Sequence, residues 1–179
     1  MVALLYAGLN SIDPHFTTTY PARTMLLGIY ETLVTVDETG STIPMLAESV
    51  EVAPDGLTYR FPLRKGVKFH NGKEMTSADV KASLERFAKL SPARVSMEIV
   101  SAIETPDANT VVVKLKNPSS TWLDRLAAPT SPASIIPIEE AAKELNKTNS
   151  ISTGPFAFVE WIPDQHFRIK RFDGYAPNR

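Results

Sequence analysis

Between Ala53 and Phe87 the chain carries, in one order, a set of local signals that leaves little freedom for its fold. Ala53-Pro54-Asp55-Gly56 is a turn, because Pro presets φ, Asp bonds its own backbone and Gly accepts positive φ. Leu57, Tyr59, Phe61 and Leu63 then alternate with Thr58, Arg60 and Arg64, the period of a strand with one buried face. Lys65-Gly66 turns the chain, Val67 and Phe69 share a face, and Asn71-Gly72 supplies a second reversal. Thr76 or Ser77 is placed to cap a helix whose first turn holds Asp79, a negative charge at the positive end of the dipole. Val80, Leu84 and Phe87 follow at i, i+4 and i+7, which puts Lys81, Glu85 and Arg86 on the outward face. The reading is an antiparallel meander with a helix packed on it, and Glu48 to Val52 adds a strand in front.

The rest of the chain is punctuated in the same way. Val2 to Leu9 is a brief apolar run closed by Gly8 and Asn10, which suits a buried strand. Arg23 to Leu33 places Met25, Leu26, Ile29, Tyr30 and Leu33 at helical spacing. Ile99 to Glu104 and Thr110 to Leu115 flank the turn Pro106-Asp107-Ala108-Asn109, with Val111, Val113 and Leu115 inward. Ser119 or Ser120 can cap a short helix bearing Trp122, Leu123 and Leu126. Pro129, Pro132 and Pro137 then bar any long regular element. Glu139 to Asn146 resumes as a small helix, and Phe156 to Trp161 with His166 to Phe172 form a last strand pair. Weak boundaries near Ile43-Pro44 and Asn149 to Ile151 divide the chain into an inserted unit, 44–150, and a discontinuous one, 1–43 plus 151–179.

Composition excludes several classes of function. Among 179 residues, 19 basic and 20 acidic side chains leave a net charge of −1, and the basic spots alternate along strands, so no phosphate-binding face and no nucleic-acid partner is expected. There is no cysteine, hence no disulfide, thiolate metal site or Cys nucleophile. No run reaches the ~18 apolar residues of a spanning helix. Met1 to Tyr6 lacks the basic start and apolar run of a signal peptide. His15, His70 and His166 are far apart and no metal-loop spacing occurs, so no metal is expected. No Gly-x-Ser-x-Gly elbow is found, and Gly66, Gly72 and Gly154 are isolated turn glycines rather than a phosphate cradle. No catalytic residue and no cofactor is expected, and Trp122 and Trp161 are read as core.

Several of these segments also carry a resemblance. Met45-Leu46-Ala47-Glu48-Ser49, the run Pro54 to Gly72 and Thr76-Ser77-Ala78-Asp79-Val80 closely resemble the signature of the peptide/nickel class, family 5, of extracellular solute-binding proteins serving bacterial ABC importers. Leu9-Asn10-Ser11-Ile12-Asp13-Pro14, Tyr30-Glu31-Thr32-Leu33-Val34, Thr153-Gly154-Pro155-Phe156 and Trp161 extend the resemblance over nearly the whole chain. It implies an α/β chain, part of a two-lobed, class II-like periplasmic-binding-protein fold, with the 44–150 meander and helices as a subdomain of the first lobe and the second lobe absent. It further implies binding of a solute, peptides first, hinge closure, delivery to an ABC permease, no enzymatic activity, and a periplasmic or extracytoplasmic location, lipid-anchored in a Gram-positive cell. Ligands in such proteins lie between lobes, near loops at strand ends. The loops that fit are Asn10-Ser11-Ile12 and Thr130-Ser131, although ordinary Asx and Ser turns account for both as well. A stand-alone extracytoplasmic interaction or sensory domain on the same fold is the alternative, and the residues do not name the solute.

Overall fold

The computed structural model describes residues 2–4, 11–16, 20–130, 132–163 and 165–175. In chain order the elements are β1 (Val2–Leu4), α1 (Tyr20–Leu26), β2 (Val34–Val36), β3 (Thr42–Pro44), β4 (Glu51–Val52), β5 (Thr58–Pro62), α2 (Ser77–Leu90), β6 (Val100–Asp107), β7 (Thr110–Leu115), α3 (Trp122–Ala127), α4 (Ile138–Ala141), β8 (Phe156–Ile162) and β9 (His166–Arg171), with a 3-10 turn at Arg94–Met97. The strands form three sheets of order β1-β9-β8, β2-β3 and β4-β5-β7-β6, and every named pairing is antiparallel.

The four-stranded sheet follows the period-two pattern. Tyr59 pairs with Val113 and Phe61 with Val111, and these four, with Leu63 and Leu115, are buried. They meet Val80, Leu84 and Phe87 of α2 in one core that also holds Val67, Phe69 and Met75. Trp122 closes it, its ring 4.6 Å from that of Tyr59 and its indole N–H donating to the Ser96 carbonyl at 2.9 Å. Gly66 and Gly72 sit at φ of 70° and 86°, where a side chain would be strained, so the two reversals of the meander depend on them. A second core gathers Ala22, Met25, Leu26, Ile29 and Tyr30 against Ile136, Phe167 and Ile169.

Several expectations are corrected. Arg86 does not look outward; it is 4% exposed. On α2, Asp79, Ser83 and Arg86 stand at i, i+4 and i+7, so they make a polar stripe beside the apolar one, and all three are buried. The stripe grips the segment that follows α3. Asp79 accepts from the backbone N–H of Ile138 at 2.9 Å, the Ser83 hydroxyl bonds both the N–H and the carbonyl of Ile136, and Arg86 donates to the carbonyls of Lys143 and Glu144. Asp79 also takes Lys73 Nζ at 2.7 Å and the Thr76 N–H at 2.9 Å, so it joins the helix start to the meander as well as meeting the dipole.

The helix expected over 23–33 ends at Leu26. Gly28 and Ile29 instead give their carbonyls to Phe156 N–H and Gly154 N–H, each at 3.0 Å. A long-range backbone pairing therefore overrides helical spacing. The helix expected over 139–146 spans only Ile138–Ala141; beyond it the Lys143 and Glu144 carbonyls are taken by Arg86 and Asn146 stands at a φ of 61°. The strand expected over 48–52 is reduced to Glu51–Val52. The three-residue hairpin β2-β3 had no signal of its own. Beyond Leu4, the strand expected over 2–9 lies outside the described residues.

Candidate functional site

The loop 11–16 is organised by one buried carboxylate. Asp13 is fully buried and takes both ends of the Arg86 guanidinium, with Nη1 to Oδ1 at 2.9 Å and Nη2 to Oδ2 at 2.6 Å. The backbone N–H groups of His15 and Asn146 complete its acceptors at 3.0 and 2.9 Å. Burial alone would push its pKa up, but the Arg86 hydrogen bonds and charge, with those two N–H groups, hold it below the usual carboxylate value.

His15 stands on the same guanidinium. Its Nδ1 lies 3.0 Å from Arg86 Nη1 and its Nε2 lies 2.8 Å from the carbonyl of Ser134. Arg86 can only donate, so Nδ1 accepts and Nε2–H donates, which assigns the neutral tautomer. Burial, chiefly, pushes its pKa down to about 4, in keeping with that assignment. The ring also meets Phe87 edge-on at 5.6 Å.

Next to this network is an uncharged pocket with a cavity of about 50 Å³. One wall is Pro14 with Leu26, Leu27 and Tyr30; a second is Thr32, Thr35 and Met45; the third is Ala127 to Pro129 with Pro132 and Ser134. Two of its hydroxyls are committed to the protein: Tyr30 donates to the Ile12 carbonyl at 3.0 Å and Thr32 to that of Val34 at 2.7 Å. Burial raises the Tyr30 pKa, so the phenol stays neutral. One water needs about 10–15 Å³ of such space, so the cavity has room for a small group or the end of a side chain.

Of the expected binding residues that are described, Ser11, Ile12 and Thr130, none lines this pocket. Thr130 is exposed, between the pocket-lining Pro129 and Pro132. Ser11 is buried, and its hydroxyl donates to Asn146 Oδ1 and accepts from the Asp13 N–H at 2.9 Å. Ile12 is half-buried with its carbonyl taken by Tyr30. Asn10 and Ser131 lie outside the described residues. Sequence reasoning did not single out Pro14, Tyr30, Thr32 or Ser134 as lining residues, because only the tertiary fold brings them together. Among the described residues no group of three or more His, Cys, Asp or Glu is placed to hold a metal ion, and no helix is long and apolar enough to cross a membrane.

A strand meander lies under a capped helix, and the Asp-Pro and proline-rich loops meet at an uncharged pocket. The chain belongs to the bacterial extracellular solute-binding proteins, family 5, whose middle region matches residues 41–179. It is 32% identical over 174 residues to the glutathione-binding protein GsiB of Pectobacterium atrosepticum, covering 93% of this chain and 33% of that protein. Among solved structures it is similar to AgaA of A. tumefaciens R10 in complex with agropinic acid, with 37% identity, a TM-score of 0.86, and coverage of 96% of this chain and 35% of that one. It is also similar to DppA of Helicobacter pylori in complex with the peptide STSA, with 30% identity, a TM-score of 0.81, and coverage of 94% and 38%. These neighbours are two-lobed periplasmic binding proteins, and the chain spans about one third of the length of the curated relatives it matches.

Proposed function

We propose that the chain supplies one wall of the solute site in a non-enzymatic binding component of an ABC importer, with small peptides as the solute class. The observation that carries this reading is the uncharged pocket between the 11–16 and 127–134 loops, in a chain belonging to a solute-binding family. The relatives named for glutathione and crystallised with a tetrapeptide support peptides, while the AgaA complex with agropinic acid keeps other small solutes within the family's range. The mechanism is capture by hinge closure and delivery of the closed form to a membrane permease. Solute favours the closed state only through contacts made there. The site of action is periplasmic or extracytoplasmic.

Within the wall, 1–43 with 151–179 and the inserted 44–150 act as two subdomains of one lobe. In support, the sheet β1-β9-β8 draws only on the former and β4-β5-β7-β6 only on the latter. Calorimetry with di- and tripeptides tests the reading on the 179-residue chain and on the full-length, two-lobed protein. Tight binding by the two-lobed protein with weak or unmeasurable binding by the chain is expected, because one wall cannot enclose a ligand. Equal, tight binding by both would refute hinge closure, and binding by neither would refute the peptide class. Dialysed protein is expected to carry no stoichiometric zinc and to hydrolyse no peptide or ester.

A further inference from the structure

Pro14 and Ser134 bring two loops that are far apart in the chain to the pocket, and a single buried relay holds both. Arg86 grips Asp13 with two nitrogens, which fixes the loop carrying Pro14. The same Nη1 reaches His15, and His15 Nε2–H holds the carbonyl of Ser134. Ser83, one turn before Arg86, clamps both backbone groups of Ile136 two residues further on. None of the side chains of Asp13, His15, Ser83 and Arg86 lines the pocket. We propose that Arg86 and His15 are positioning residues for solute binding: the relay Asp13–Arg86–His15–Ser134 sets the separation of the two loops that wall the pocket, and so sets affinity from behind it.

This rests on the pocket being part of the solute site. The imidazole is suited to the task because one rigid ring accepts from the guanidinium and donates to the carbonyl, so the two loops cannot shift independently without breaking one of its bonds. A glutamine carboxamide also offers an acceptor and a donor on one carbon and restores the relay; a leucine fills the space and restores neither bond.

The test uses the full-length, two-lobed protein and, as probe, whichever member of a defined tripeptide library binds the wild type most tightly. Each variant is titrated at a temperature where circular dichroism finds it fully folded. His15→Leu is expected to weaken binding at least tenfold, and His15→Gln to remain within about threefold of wild type. A purely structural role would lower the melting temperature of His15→Leu and leave its Kd when folded unchanged within twofold, and that result overturns the proposal. Should His15→Leu not fold, Arg86→Lys decides. It keeps a charge against Asp13 and loses the nitrogen that reaches His15, so weakened binding supports the relay and unchanged binding overturns it.

Thr32→Trp, which fills the pocket, separates the two levels of inference. If it abolishes binding while His15→Leu does not, the relay alone fails. If it is without effect, the pocket reading fails and the relay with it; if the wild type binds no library member, the peptide class fails, and with it the relay as a determinant of peptide affinity.

Discussion

Replacing Arg86 by Met should be among the most damaging single changes in this chain, and its cost should shrink in acid. The guanidinium donates to both oxygens of Asp13, to the carbonyls of Lys143 and Glu144, and to His15. The side chains of Arg86 and Asp13 are 2% and 0% exposed, so water cannot replace what is lost. Breaking a buried pair from one side typically costs about 3–5 kcal/mol, since the remaining charge stays buried without its partner. In the wild type, Asp13 has a folded pKa below its unfolded value, so its contribution is present above that unfolded value and is lost as pH falls through the folded one. Without Arg86, burial dominates and the carboxyl pKa rises above the unfolded value. Protonation then relieves the variant as pH drops. Urea unfolding followed by tryptophan fluorescence at pH 7 and pH 5 measures both effects. The deficit should be about 3–5 kcal/mol at pH 7 and smaller by about 1 kcal/mol or more at pH 5, one pKa unit being worth about 1.4 kcal/mol. Adding Asp13→Asn should recover part of it. A deficit under about 1 kcal/mol at pH 7, well below the usual cost of a broken buried pair, or one that widens at pH 5, would refute the reasoning.

Three further outcomes are expected. Phe61→Ala, at a side chain with no exposure in the centre of the first core, should destabilise by about 3–5 kcal/mol in the same urea assay. Gly154→Ala should lower the melting temperature measurably, because a Cβ there would stand 2.5 Å from the Ile29 carbonyl oxygen and 2.8 Å from that of Gly28, backbone atoms fixed by their own hydrogen bonds to 154–156. His15 refuses a proton in the folded state until about pH 4, whereas the unfolded chain takes one near 6.5. Stability should therefore fall by roughly 3 kcal/mol as pH drops between those values, and unfolding of His15→Gln should have a visibly shallower pH slope.

What could be read from the residues was whatever local periodicity determines. The strand Thr58–Pro62, its turns at Gly56, Gly66 and Gly72, and the start of the long helix at Ser77 follow from alternation, glycine and a cap, all properties of a few adjacent residues. What could not be read is decided by partners far along the chain. Helical spacing runs on through Ile29, Tyr30 and Leu33, yet the backbone at 28–29 pairs with residues 154–156, and nothing near Leu26 announces this. Arg86 fell on the wrong face for a similar reason. A charged residue one position off an apolar stripe is ordinarily solvated, and only Asp13, seventy-three positions away, makes its burial tolerable. The proline-rich loop of the candidate site was visible in composition, but Tyr30, Thr32 and Pro14 line the pocket through tertiary placement alone.

The polar stripe of α2 also accounts for how irregular loops can form the wall of a binding site. The segment 133–137 lies in no helix or strand, and neither does Ser11 to Asp13, so their backbone groups need partners elsewhere or water. Buried side chains of one rigid helix hold the first of these segments at Ile136 through Ser83, continue along the chain at Ile138 through Asp79 and at Lys143 and Glu144 through Arg86, and fix the second through the Asp13 carboxylate. Ser152 donates to the Ile135 carbonyl at 2.7 Å and the Ile135 N–H reaches Glu31 at 2.9 Å, which ties the same segment to the other core. Loops held in this way gain the positional precision of the helix that holds them, and precision in the supporting groups is what a binding wall needs. Exposed positions such as Thr130 can then vary without disturbing the scaffold. The helix flank behind them cannot vary freely, because each of its polar side chains satisfies a backbone or carboxylate group that has no water to turn to.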